Sequence, residues 1–204
     1  RSISYGNAQA KDGALRTSFI GAGSYASSIL IPAFARNRQV YLKSIGSEKG
    51  LSASQQAKKF GFRIASTDTD QIISGDCDVV VVSTRHDTHA ELVCRSLKAG
   101  KHVFVEKPLC LTPDECASIE ETLADLQRPP ILMVGFNRRF SPHAVLLKNY
   151  FSKSKTPIFL QYRINAGIIP PDVWIQDPEI GGGRIIGEGC HFIDFASFVI
   201  GGYV

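Results

Sequence analysis

The sequence predicts an α/β fold: a parallel sheet covered by helices on both faces, followed by the start of a second unit. Three features predict it. Apolar runs of strand length alternate with helical segments over residues 14–135, the pattern of repeated βαβ units. Asp78-Val-Val-Val-Val-Ser83 is a continuous β-branched run, as in a strand buried on both faces. Gly21-Ala22-Gly23-Ser24-Tyr25-Ala26 ends one strand and opens a helix, a turn that favours small residues.

The elements follow in order. Residues 1–13 read as a tail, and 14–20 as the first strand, broken at Gly21. A helix over 25–37 is kinked or interrupted at Pro32, which lacks an amide hydrogen. Residues 40–45 form the second strand. Residues 51–60 form a helix that Gly61 ends as a C-cap. Residues 63–65 are a minor strand and 68–74 a short helix. After the valine run comes a helix over 87–99, then a strand over 102–105 leading into Glu106-Lys107-Pro108, a candidate cis bond. Thr112-Pro113-Asp114-Glu115 is a capping box with proline at the first helical position, starting a helix to about residue 127. Residues 131–135 are a further strand. The character changes between residues 140 and 157. Phe159-Leu-Gln-Tyr-Arg-Ile-Asn165 alternates apolar and polar, as a half-exposed strand of a different sheet does. The domains are thus a tail (1–13), a wound sheet (14–140) and the first part of a second domain (141–204).

Composition narrows the function. A chain of 204 residues, 44% hydrophobic, holds one domain and part of another. The formal charge is +4, with basic residues interspersed rather than striped. That fits an anionic small molecule at least as well as nucleic acid. No apolar run approaches the roughly 18 residues of a membrane span, and residues 1–11 lack a signal-peptide pattern. The five cysteines form no Cys-x-x-Cys pair, so reduced thiols in a cytoplasmic protein, without a metal, are expected. A start without Met and a stop just after an apolar segment read as an excerpt from a longer chain.

Several residues carry chemistry. In Gly21-x-Gly23-x-x-Ala26 the first glycine allows the turn, and the second lets a pyrophosphate approach the backbone. Ala26 permits close packing, and the helix start, with Ser24 and Tyr25, offers N–H donors. A dinucleotide site is the functional reading of this Rossmann fingerprint; a structural turn is the alternative. At the end of the second strand, where an acid would select NAD, the chain has Ser47-Glu48-Lys49. Ser47 and Lys49 suit a 2′-phosphate and Glu48 the ribose of NAD, so the cofactor is NAD or NADP, leaning to NADP. Thr84, Arg85, His86 and His89 follow the valine strand at the sheet edge where ligands bind. Thr84 and Arg85 suit the pyrophosphate or adenine, and His89 the nicotinamide side. For His86 alone a surface loop position is the stronger account, and Asp87 serves equally as a helix N-cap. Lys107 leaves its strand toward the same edge, placed to polarise an oxygen or pass a proton, while Glu106 holds a ribose or steers it. His191, with Asp194 to orient it or cap its helix, suits acid/base work on an alcohol or ketone.

Phe19-Ile-Gly-Ala-Gly-Ser24, Glu106-Lys107-Pro108, Gly135-Phe-Asn-Arg-Arg-Phe140 and Gly181-Gly-Gly followed by His191-Phe-Ile-Asp194 occur in this order. The series resembles the glucose-fructose oxidoreductase/inositol dehydrogenase/rhizopine-catabolism (Gfo/Idh/MocA) family from about Arg16 onward. The resemblance implies a Rossmann domain, then an α+β substrate and oligomerisation domain, present here as its truncated start, with an open, mainly antiparallel sheet. It implies NAD(P)-dependent hydride transfer at a hydroxyl or keto group of a sugar, polyol or nucleotide sugar, in a homo-oligomer. It makes Lys107 and His191 catalytic and puts Asn137 and Arg138 in the substrate pocket, with Arg163, Asn165 and Trp174 as weaker substrate contacts. The family commonly carries Asp four residues before the histidine; here Gly187 stands there and Glu188 follows. A one-residue shift on a helix turns a side chain by about 100°, so Glu188 is a catalytic candidate that must still point the right way. The wording around His86 and His191 also resembles a subgroup fused to a zinc-type alcohol dehydrogenase domain. Two rivals stand beside the dehydrogenase: a dinucleotide-binding sensor or scaffold without catalysis, and a redox-assisted glycoside-cleaving enzyme that recycles its cofactor.

Overall fold

The computed structural model describes residues 1–6 and 12–202; residues 7–11 of the tail and 203–204 of the second unit lie outside them. The strands are β1 (Ser2–Ser4), β2 (Leu15–Ile20), β3 (Val40–Gly46), β4 (Ile64–Ser66), β5 (Val79–Val82), β6 (His102–Val105) and β7 (Leu132–Val134). They form one sheet in the order β1-β4-β3-β2-β5-β6-β7. Every pairing is parallel except that of β1 with β4. From β2 the chain steps outward to β3 and β4, then returns to β5 and steps outward the other way. That reversal is the Rossmann winding, and it leaves a crevice at the carboxyl ends of β2 and β5.

Period-2 alternation sorts the strand side chains between two cores. Phe19 and Val81 face one core with Leu42, Ile45 and Phe62. Ile20, Val80 and Val82 face the other with Val103 and Val105. Helices α1 (Ile31–Arg36) and α2 (Leu51–Phe60) cover the first core. Helices α3 (Thr69–Ser74), α4 (His89–Lys98) and α5 (Pro113–Ala124) cover the second. Val80, Val81 and Val82 are each 0% exposed, so the valine run is buried on both faces. Burial of a side chain that size stabilises the fold by about 1.5–3 kcal/mol.

Local sequence sets the helix ends. Thr112 Oγ1 accepts from the Glu115 amide at 3.2 Å, and the Glu115 carboxylate accepts from the Thr112 amide at 3.2 Å, so the capping box of α5 is complete. Gly61 closes α2 at φ +81°. The first helix departs from expectation. Ala26–Leu30 is a π turn, closed by the Ile31 amide on the Ala26 carbonyl, and α1 follows with Pro32 in its first turn. Pro32 cannot donate into the preceding turn and its ring crowds the carbonyl four residues back, so the widened turn precedes it.

Two further expectations are corrected. Ser2–Ser4, read as tail, is an edge strand paired with β4. Phe159–Asn165 forms no strand, and Phe159 is 90% exposed. The antiparallel sheet implied by the resemblance has no strand among the described residues. After β7 come a 3₁₀ turn (Asn137–Phe140), α6 (Pro142–Phe151), a 3₁₀ turn (Trp174–Gln176), a π turn (Ile185–Gly189) and α7 (Cys190–Ile200). No helix among the described residues is long and apolar enough to cross a membrane.

Candidate active site

At the carboxyl edge of the sheet a cleft of about 1470 Å³ runs from Ser47, Glu48 and Lys49, across the glycine turn, to Lys107, Asn137, Arg138, Glu188 and His191. Gly21 sits at φ +109°, and a Cβ there would lie 2.3 Å from the Ser83 carbonyl oxygen. The turn after β2 thus packs directly on the end of β5, which only glycine allows. A Cβ on Gly23 would meet nothing, so its backbone opens onto the cleft. A close-packed first glycine and an uncovered second one at a helix start make a cradle that suits a pyrophosphate.

Ser47 does more than line the cleft. Its Oγ accepts from Ser52 Oγ at 2.9 Å and from the Ala53 amide at 3.2 Å, tying the end of β3 to α2. Glu48 and Lys49 are exposed at the cleft mouth. Thr84 is held by Thr88 Oγ1, whose hydroxyl lies 2.7 Å away, and Arg85 lies over the Trp174 ring at 5.8 Å.

His86 differs from expectation. His86 is buried, not a surface loop residue: its Nδ1 donates to the Gly181 carbonyl at 2.8 Å and its ring meets Trp174 edge-on at 4.8 Å. The Asp87 amide donates to the Ile180 carbonyl at 3.1 Å, so Asp87 joins this clamp by its backbone instead of capping α4 with its side chain. Gly181 has no room for a side chain, since a Cβ would fall 2.4 Å from Ile175 Cα; the glycine run serves this docking. His89 is 0% exposed, donating from Nδ1 to the Pro108 carbonyl at 2.7 Å, with Nε2 3.3 Å from the Thr84 carbonyl. With Nδ1 donating to Pro108, His89 braces the turns after β5 and β6, and its ring lines the cleft. Burial lowers the pKa of both rings, and they are neutral near pH 7.

Lys107 and His191 come to one wall. The Lys107–Pro108 bond is cis. Lys107 Nζ donates to the Gly187 carbonyl at 2.7 Å across eighty residues of sequence, joining the end of β6 to the turn before α7. His191 is 8% exposed, and its Nδ1 is buried without a partner. Burial, then the charges of Lys107 and Arg138, lower its pKa to about 4. Asp194 opposes that shift, but its carboxylate belongs to Arg139, which binds it from Nε at 3.0 Å and again through Nη2. Arg139 therefore pins α7 to the turn after β7, a role not foreseen from the sequence. Glu188 lines the cleft, but its carboxylate lies 3.8 Å from Arg184, one helical turn back. Among the described residues no carboxylate comes within 4 Å of Lys107 Nζ.

Glu106 sits between these groups. Its amide donates to the Val82 carbonyl at 2.9 Å. Its carboxyl rests against Gly135, where a Cβ would lie 2.8 Å from Oε1. Burial pushes its pKa up to about 7, with Lys107 opposing. Tyr25, raised by burial and then by the Glu106 charge, accepts from Asn137 Nδ2 at 2.8 Å. Arg138 lies over the Phe192 ring at 4.8 Å. Arg163 is exposed and lies outside the cleft lining, whereas Trp174 is part of it. Ser83, Thr88, Glu91 and Arg95 also line the cleft. Of these, only the Glu91–Arg95 ion pair, 2.9 Å apart at i,i+4, had a readable spacing.

A doubly wound sheet with its glycine turn at the switch point defines a dinucleotide-binding protein. Residues 15–136 match the model of the oxidoreductase family with an NAD-binding Rossmann fold (Gfo/Idh/MocA), and the chain belongs to that family. It is 31% identical over 157 residues to levoglucosan dehydrogenase of Pseudarthrobacter phenanthrenivorans, covering 73% of this chain and 40% of that protein. It is 28% identical over 189 residues to inositol 2-dehydrogenase of Rhizobium meliloti, covering 92% and 55%. A solved levoglucosan dehydrogenase in complex with NADH and levoglucosan superposes with a TM-score of 0.78 at 27% identity, over 92% of this chain and 54% of that one. The chain thus spans about half the length of the proteins it matches.

Proposed function

We propose that this chain is part of an NAD(P)-dependent dehydrogenase acting on a CH–OH or keto group of a sugar, polyol or nucleotide sugar. Residues 14–140 form the dinucleotide domain, and 141–204 begin a substrate and oligomerisation domain. The observation that carries the reading is the Lys107–Gly187 hydrogen bond of 2.7 Å, which brings a strand-end lysine and the helix bearing His191 to one wall of a dinucleotide-sized cleft. When bound, the nicotinamide supplies the redox chemistry.

The chain's own residues handle the proton. His191, neutral down to about pH 4, is ready to accept the hydroxyl proton in the oxidative direction. Lys107 stabilises the negative charge that builds on the substrate oxygen and stays on station through the Gly187 carbonyl. Glu188 is held off by Arg184, so the site works with two residues. Asn137, Arg138 and Trp174 form the substrate side. Ser47, as a backbone-braced hydroxyl, and Lys49 favour a 2′-phosphate, so NADP is the proposed form; Lys49→Glu should weaken NADP more than NAD. The full activity is tested by following reduced-cofactor absorbance with a panel of sugars and polyols. Dinucleotide binding without turnover on any of them, in a protein carrying the complete second domain, would favour a sensing module instead.

A further inference from the structure

We infer that the Glu106 carboxyl makes the cleft's preference between oxidised and reduced dinucleotide depend on pH, oxidised cofactor being favoured once the group is ionised. The inference rests on the dinucleotide reading above. Glu106 ends β6 inside the cleft, one residue from Lys107. The cation that would ordinarily neutralise it is turned away: Lys107 Nζ is committed to the Gly187 carbonyl at 2.7 Å. The neighbouring element β7 offers only the Gly135 backbone, against which the carboxyl rests. The glycine turn offers Tyr25, whose hydroxyl accepts from Asn137. No side chain among the described residues donates a hydrogen bond to the Glu106 carboxyl. Lys107 reaches the carboxyl only through its charge and its backbone amide, so a half-buried acid with cleft access is left that a cation brought by the ligand can neutralise further.

The two cofactor forms differ in that respect. The oxidised nicotinamide ring carries a positive charge and the reduced ring is neutral. A cation within about 4–6 Å lowers a carboxyl pKa by about 1–3 units. Burial holds the free group at about 7, so binding of the oxidised form expels its proton across the neutral range. By linkage, each unit of that shift is about tenfold in affinity. Among the other cleft-lining groups with resolved shifts, His191 is lowered to about 4, His86 and His89 are lowered by burial, and Tyr25 is raised by burial.

The test is a calorimetric or fluorescence titration of purified protein with oxidised and reduced dinucleotide separately, from pH 5.5 to 8.5, in wild type and Glu106→Gln. Wild type should bind the oxidised form about tenfold more tightly at the upper end, with less than about a twofold change for the reduced form. In Glu106→Gln both should be flat, and reduced-cofactor binding shows that this isosteric variant is folded. Flat oxidised-cofactor binding in wild type, or an unchanged slope in the variant, overturns the inference while leaving the dinucleotide site standing. Failure of both forms to bind at every pH overturns the dinucleotide reading, and this inference with it.

Discussion

Gly187 gives Lys107 a backbone carbonyl at the position where the resemblance leads one to expect a carboxylate. A carbonyl positions the ammonium without neutralising it, so the full positive charge acts on His191 and on any oxygen between them. That charge is one reason the imidazole is neutral far below its ordinary range. Lys107→Ala and His191→Ala should each lower turnover by about 10²–10⁴-fold, the range for a positioned acid or base, with dinucleotide Kd nearly unchanged. Full turnover by both variants would end the assignment. Gly23→Asp tests the other end. It sets bulk and negative charge on the one open face of the turn, and a fluorescence titration should show dinucleotide affinity severely reduced.

The elements show what a sequence makes legible. Wherever the signal was local, the element formed: the valine run, the Thr112–Glu115 box and the Gly61 cap each encode their structure within a few residues. Phe159–Asn165 failed because a strand exists only when another strand pairs with it, and its own alternation cannot supply one. The site divides the same way. Residues at strand ends were found because topology carries every parallel strand's carboxyl end to one edge. The Gly187 carbonyl was invisible, because backbone acceptors have no residue signature. Arg139 was hidden for another reason: nothing in Asn137-Arg138-Arg139 says which arginine turns to α7. Its bidentate grip on Asp194, whose side chain is 7% exposed, is predicted to hold α7 in place. Arg139→Ala strands a buried carboxylate and should cost about 2–3 kcal/mol in urea denaturation. Thr112→Ala, which removes only a cap, should cost about 1 kcal/mol. A cost for Arg139→Ala no larger than for the cap would mean that the ion pair does not anchor α7.

Over the whole molecule the buried titratable groups pull stability in opposite directions with pH. His86, His89 and His191 all have lowered pKa values in the fold, against 6.5 when unfolded. Below about pH 6.5 the unfolded chain takes up protons that the folded one refuses, so these three terms are lost as pH falls, for His191 down to about 4. Glu106 runs the other way. Folded at about 7 and unfolded near 4.5, it keeps a proton between those values that the unfolded chain releases, so its term favours folding more as pH falls through 7. Three histidines oppose one carboxyl, so unfolding below about pH 6.5 should take up protons net. Calorimetric Tm should therefore drop from pH 8 to 5. His191→Asn should flatten the decline by removing one of the three terms. Glu106→Gln, which stays neutral throughout, should steepen it by removing the opposing one. A Tm independent of pH, or two variants shifting the slope in the same direction, would mean these groups are not desolvated by folding, and the neutral His191 that the proposed proton transfer requires would go with them.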